Sequence, residues 1–308
     1  MRTQKIKVQG QKLLVTILTS NNIERLKRLL YVIDNKMFAA QNLYVEYNIV
    51  VNTLSDEYYE EVLALNSQHK VIRTESDGTA GKGKNSCHKI FLDSTADFLS
   101  QIDGDDMLYP TYLQSLSDHI ARAPYVDVLG IRPVDYITSD WFPDAGHVFE
   151  VAQGTHASVW GISLCKPGGE AGVAEHPLLW NATDSCISQD KFILQSRRAA
   201  QINMTESMLQ AEDHLQSFKY LAEHQKGNLT YYQTMSSDMY LVDRSTPGSV
   251  QKKYESFDYV SKLKEEVLKY VPKWRSSFYE LPFLYIDLKL THNQKEDWIK
   301  EFWKEFYN

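Results

Sequence analysis

Short apolar runs alternate with amphipathic stretches through the first third of the chain, a pattern that predicts a parallel sheet covered by helices. Residues 13–18 form an apolar run of strand length. Ile23, Leu26, Leu30 and Ile33 follow at helical spacing and share one face, with Asn21 or Asn22 in position to cap that helix. The unit then repeats. A second strand runs through Ile49, Val50 and Val51, and Ser55, Asp56 and Glu57 suit the positive end of a second helix. Val71 and Ile72 begin a third strand, which leads into the polar, glycine-rich segment 75–85. Cys87, Ile90 and Phe91 mark a further helix face, and residues 98–102 form a fourth strand that ends at Asp103-Gly104-Asp105-Asp106.

Position gives this acidic cluster chemical interest, because ligands of open α/β sheets bind outside the carboxyl ends of the strands. Carboxylates one residue apart, with a glycine letting the chain turn between them, can hold a hard divalent cation through oxygen. An isolated Asp-Gly-Asp is better read as a solvated turn, since these residues are the commonest turn formers. A second acidic pair, Glu212-Asp213, changes the weighing. It opens a stretch in which Leu215, Phe218, Leu221 and Ala222 fit one helix face and Gly227 offers a stop. Acids at a helix start commonly do no more than complement the dipole. Alongside a metal-binding cluster, they also offer a base for an attacking hydroxyl.

The ordered set of features resembles the GT-A fold glycosyltransferases, and within them the large inverting family-two nucleotide-sugar transferases, which include many bacterial polysaccharide synthases. The resemblance runs from about residue 13 to about residue 250. It rests on Leu18-Thr19-Ser20-Asn21, Val51-Asn52, Gly81-Lys82-Gly83-Lys84-Asn85, the Asp103 cluster and Glu212-Asp213. It implies an α/β fold with a mixed, mainly parallel sheet flanked by helices over residues 1–250. The donor half would be about 1–125 and the acceptor half about 126–250, with a mostly helical extension over 251–308. The activity implied is inverting transfer from a nucleotide-sugar, with UDP the expected nucleotide, to a glycan or glycoconjugate with the help of Mn2+ or Mg2+. On the residues that match, Thr19, Asn21 and Asn52 would hold the base. Asp77, Lys84 and Asn85 would lie near the donor, Asp103 would contact ribose and metal, and Asp105 would bind metal. Asp213 would be the catalytic base, supported by Glu212. Two positions depart from the family. Asn52 stands where Asp is usual, and the place of a late metal-binding His falls to Asp243 or Arg244, the latter suited to phosphate oxygens.

Residues 78–85 also nearly satisfy the phosphate-binding pattern G-x-x-x-x-G-K-[ST], which keeps a P-loop nucleotide hydrolase or phosphotransferase as the alternative. Asn85 replaces the hydroxyl residue that would meet magnesium, and Asp103 follows after only one short helix. A non-catalytic nucleotide-sugar or glycan-binding protein is the other alternative, since fold alone does not exclude it.

The remainder is less legible. Segments 126–131 and 159–164 look like strands, with Gly154, Gly168, Gly169 and Gly172 at turns. By the resemblance this region faces the acceptor, so Trp180 and Asp184 are candidates to stack on and hydrogen-bond a sugar; a core position suits Trp180 equally well. In the tail, Trp298, Ile299, Phe302, Trp303 and Phe306 fall on one helical side. That side is covered by the same chain, by a homodimer contact or, less favoured, by a membrane surface. A net charge of -7 gives no global field for a polyanion, which argues against nucleic acid as a partner. No apolar run approaches the roughly twenty residues of a membrane span, and the first residues lack a secretory signal, so a cytoplasmic protein is expected. Three cysteines, an odd number without close pairs, are expected to be buried thiols.

Overall fold

β1 (Gln11–Thr19) is the spine of the sheet. Leu13, Leu14, Val15 and Ile17 are at most 1% exposed, so both faces are covered, as a continuous apolar run requires. The computed structural model describes residues 10–75, 77–131, 134–136, 179–181, 191–204, 206, 212–234 and 240–243. In it β1 pairs in parallel with β2 (Leu43–Val51) on one side and β4 (Phe98–Asp103) on the other, and β3 (Lys70–Arg73) lies parallel beyond β2. β9 (Lys191–Ser196) runs antiparallel between β4 and β6 (Val128–Ile131). β10 (Tyr231–Thr234) is parallel to β6, and β8 (Leu179–Asn181) forms an antiparallel edge. The order is β3-β2-β1-β4-β9-β6-β10-β8, a mixed, mainly parallel sheet as expected. A smaller sheet sets β11 (Tyr240–Asp243) between β5 (Met107–Leu108) and β7 (Val134–Tyr136).

The first two helices follow their sequence signals. α1 (Ile23–Asn35) is capped by Asn22, whose Oδ1 accepts from the Arg25 amide at 3.2 Å, and it buries Leu26, Leu29, Leu30, Val32 and Ile33. α2 (Asp56–Ala64) is capped by Ser55, which accepts from the Tyr58 amide at 3.1 Å. α4 (Tyr112–Arg122), α5 (Arg197–Ala200) and α6 (Glu212–Gln225) complete the described helices. Gly227, at φ 76°, ends α6 where the sequence predicts the stop.

α3 (Ala80–Leu92) departs from expectation, because the glycine-rich segment is helical from Ala80, with Thr79 as its cap. Glycine costs a helix about 1 kcal/mol relative to alanine. Close packing gives the reason for it here: a Cβ on Gly83 would stand 2.7 Å from the Asn52 amide nitrogen and 3.0 Å from Leu18. With Gly81, Lys82 and Gly83 already in the helix, no open loop remains to wrap a phosphate, and the P-loop alternative loses its structural requirement. Cys87, on the buried side of α3, is a thiol that burial pushes up to about 12.

Segment 159–164, the glycines at 154, 168, 169 and 172, Asp184, Arg244 and the whole tail from 251 to 308 lie outside the described residues. Among the described residues no helix is long and apolar enough to cross a membrane.

Candidate active site

Parallel pairing brings the ends of four strands to one edge, since Thr19 is level with Val51, Val51 with Arg73, and Leu18 with Asp103. The ladders continue one residue past the paired ends, with Asn52 N donating to Thr19 O at 2.8 Å and Gly104 N to Leu18 O at 2.7 Å, and Asp106 N closes a turn onto Asp103 O at 3.1 Å. Gly104 is required here: a Cβ would meet Thr19 Cβ at 2.9 Å and Leu18 O at 3.1 Å. The Asp103-Gly104-Asp105-Asp106 turn is therefore pressed against the end of β1.

β9 and β11 supply partners to this turn. Lys191 forms an ion pair with Asp103 and lies 3.2 Å from Asp106 Oδ2. The Tyr240 hydroxyl donates to Asp106 Oδ2 at 2.8 Å and accepts from the Asp103 amide at 3.1 Å. Burial alone would raise the pKa of Asp103, but the Lys191 and Lys84 ammonium groups outweigh it and hold the carboxyl below its usual range. Asp105 behaves in the opposite way. Burial, helped by the charges of Asp106 and Asp103, pushes it up to about 7. Among the described residues no side chain forms a hydrogen bond or ion pair with its carboxylate, and Lys191 acts on it through its charge alone.

The second acidic pair arrives at the same place. Lys84 of α3 reaches across to Glu212 Oε1 at 2.7 Å, a buried ion pair spanning 128 positions of sequence. Asn85 fastens the same approach: its amide donates to Met204 O at 3.0 Å and to Glu206 at 2.9 Å, and accepts from Met204 N at 2.7 Å. Asp213 is 7% exposed and close enough for its charge to act on Asp103, Lys84 and Lys191. Asp103, Asp105, Asp106, Glu212 and Asp213 thus form one acidic centre holding two lysines.

Several residues expected at the donor have local duties. Asn52 is 6% exposed; its amide donates to Thr79 O at 3.0 Å and accepts from the Thr74 hydroxyl at 3.3 Å, joining β3 to the start of α3. Asp77 accepts from the Thr79 amide at 2.9 Å and hydroxyl at 2.6 Å, which foremost lowers its pKa. Thr19 pairs with the Tyr58 hydroxyl, and Asn21 is exposed beside the cap. Lys84 braces the start of the acid-bearing helix, and Asn85 holds the segment that precedes it through Met204 and Glu206. Trp180 is level with Gln233 on the edge strand β8, four strand spacings from β4, or about 19 Å across the sheet. Asp243 pairs in register with Tyr136. Lys191 and Tyr240 were not among the expected site residues, because only strand pairing reveals their place.

The donor set suits a divalent cation shared with a ligand. Asp105 is crowded by like charges and lacks a counter-ion of its own. Among the described residues no three His, Cys, Asp or Glu side chains are placed to hold a metal by themselves. One or two carboxylates completed by phosphate oxygens is the usual arrangement for Mg2+ at nucleotide sites.

No protein-family model and no curated protein sequence matches the chain. Solved structures match by shape. S. aureus TarS 1-349 in complex with UDP-GlcNAc aligns with TM-score 0.59 at 16% identity, over 92% of this chain and 74% of that one. A structure of S. aureus TarS gives 0.53 at 15% identity, again over 92% of this chain, which spans 45% of that protein's chain. The mannosyltransferase PcManGT from Pyrobaculum calidifontis, in complex with GDP-Man and Mn2+, gives 0.53 at 11% identity, over 89% and 71% of the two chains. The chain therefore has the GT-A-like α/β fold that these glycosyltransferases share.

Proposed function

We propose that the chain is a metal-dependent, inverting glycosyltransferase that moves a sugar from a nucleotide-sugar, UDP-linked in the first instance, to a hydroxyl of a glycan or glycoconjugate. The observation that carries this is the convergence of Asp103, Asp105 and Asp106 with Glu212 and Asp213 at the carboxyl edge of the sheet. It is supported by the fold shared with a UDP-GlcNAc complex and with a GDP-Man and Mn2+ complex.

Asp105 and Asp103 are the residues that would hold Mn2+ or Mg2+, which when bound supplies charge to the leaving diphosphate. The rest falls to the chain's own groups. Thr19 and the turn after β2 border the base, and Asp103 borders the ribose. Asp213 accepts the proton of the acceptor hydroxyl. That oxygen forms its bond to the anomeric carbon as the bond to the diphosphate breaks, and the nucleoside diphosphate leaves with the electron pair. Glu212, neutralised by Lys84, holds the helix start that aims Asp213. Burial of both acids keeps water from competing for the anomeric carbon.

The test is a panel of UDP-, GDP- and dTDP-sugars with the purified protein, with and without Mn2+, beside Asp213→Ala. Metal-dependent release of nucleotide from one donor, abolished by Asp213→Ala while that donor still binds, is the expected result. Binding of a donor with no turnover on any glycan acceptor or water would turn the reading to a binding protein.

A further inference from the structure

The acidic centre already contains a cation. The register Phe98↔Ser196 and Leu99↔Gln195, continued to the end of β4, sets Lys191 opposite Asp103. Its ammonium pairs with Asp103, lies 3.2 Å from Asp106 and sits 5.7 Å from the centre of the Tyr240 ring. Tyr240 fixes both aspartates from the other side, through the Asp103 amide and the Asp106 carboxylate. The lysine keeps 17% of its side chain exposed, so it is not sealed in place. Asp105, beside both, has no such partner among the described residues.

We propose that Lys191 is an exchangeable counter-ion. It holds Asp103 and Asp106 while the site is empty, and it yields Asp103 to a divalent cation when a diphosphate arrives to take the ammonium. The physical ground is competition: an ammonium and a metal ion on one carboxylate repel each other, strongly so in a partly buried site. A lysine suits such an exchange, because its charge is compact, its stem has four flexible carbons and its three donors fit successive oxygen acceptors. Lys191 is then a positioning residue that couples cation binding to ligand binding, so that neither binds tightly alone. That the anion is a diphosphate rests on the glycosyltransferase reading; the competition between Lys191 and the cation does not.

The experiment is titration of Mn2+ into the full chain, with and without UDP, for the wild type, Lys191→Met and Lys191→Arg. Without UDP, Lys191→Met is expected to bind Mn2+ roughly tenfold more tightly than wild type, and Lys191→Arg about equally. The tightening of Mn2+ binding by UDP is expected to shrink by a similar factor in Lys191→Met. Should that variant not fold, the double variant Lys191→Gln/Asp106→Asn keeps the wild-type net charge while freeing Asp103, and it too should bind Mn2+ more tightly. Unchanged or weaker Mn2+ binding in the folded variants overturns the proposal. Tighter Mn2+ binding in the variants, with no nucleotide-sugar bound by the wild type, upholds the competition and instead removes the glycosyltransferase reading.

Discussion

Asp127 and Asp105 both sit beside a strand end, and their surroundings differ in kind. Asp127, just before β6, is 4% exposed and fully engaged. Its Oδ1 accepts from Ser196 Oγ at 2.7 Å and Arg198 Nε at 3.1 Å, and its Oδ2 from Arg198 Nη2 and Thr230 N, each at 2.8 Å. One carboxylate meets one guanidinium and two further donors, and the result ties β6, α5 and the start of β10 together. At the opposite edge, Asp103 and Asp106 share Lys191, and Asp105 is left unpaired, with burial and its neighbours' charge pushing its pKa up to about 7. Satisfied charge at Asp127 builds the sheet; surplus charge at Asp105 leaves a place for something from outside. Strongly perturbed acids in a cleft are where binding and catalysis are expected.

The contrast can be broken at either end. Asp213→Asn should have the largest effect, lowering kcat about 10²–10⁴-fold in a steady-state assay with donor affinity nearly unchanged. Asp105→Asn should next raise the stability of the ligand-free protein at alkaline pH. The folded pKa of about 7 lies above the ordinary 3.8, so folding disfavours the ionised form and stability is lost as pH rises between those values. Removing that charge should gain about 2 kcal/mol, or roughly 4 °C, at pH 8 and nothing at pH 3, read by thermal melts across pH. Asp127→Asn should lose about 1.5 kcal/mol in urea denaturation, chiefly through unmet donors because Arg198 is 62% exposed, with kcat unchanged. Gly227→Ala, which forces a side chain into φ 76°, should cost about 1 kcal/mol and leave activity alone.

The first third of the chain was legible because its signals are local. Apolar runs marked β1, β2, β3 and β4, Ser55 capped α2 as its type suggests, and Asp103 and Asp105 stand at the strand end where they were expected. Two things hid the rest. The start of α3 at Ala80 opposes helix propensity and depends on Gly83 fitting under Asn52, a contact between segments far apart in sequence. Lys191 and Tyr240 are ordinary residues until an antiparallel strand between two parallel ones, and a small second sheet, carry them to Asp103 and Asp106. The same long-range pairing explains Lys84, whose place in a glycine-rich segment suggested phosphate and whose partner is Glu212. Helix stops behave like the local class: Gly227 was readable because a positive φ follows from its type.

The most direct test of the central claim is the dissociation constant of UDP in Mn2+ and in EDTA, for the wild type and Asp105→Asn. If surplus carboxylate at the strand end recruits a cation for a nucleotide diphosphate, Mn2+ should tighten UDP binding at least about tenfold in the wild type and leave Asp105→Asn unaffected. Equal tightening in both proteins, or none in the wild type, would contradict the account.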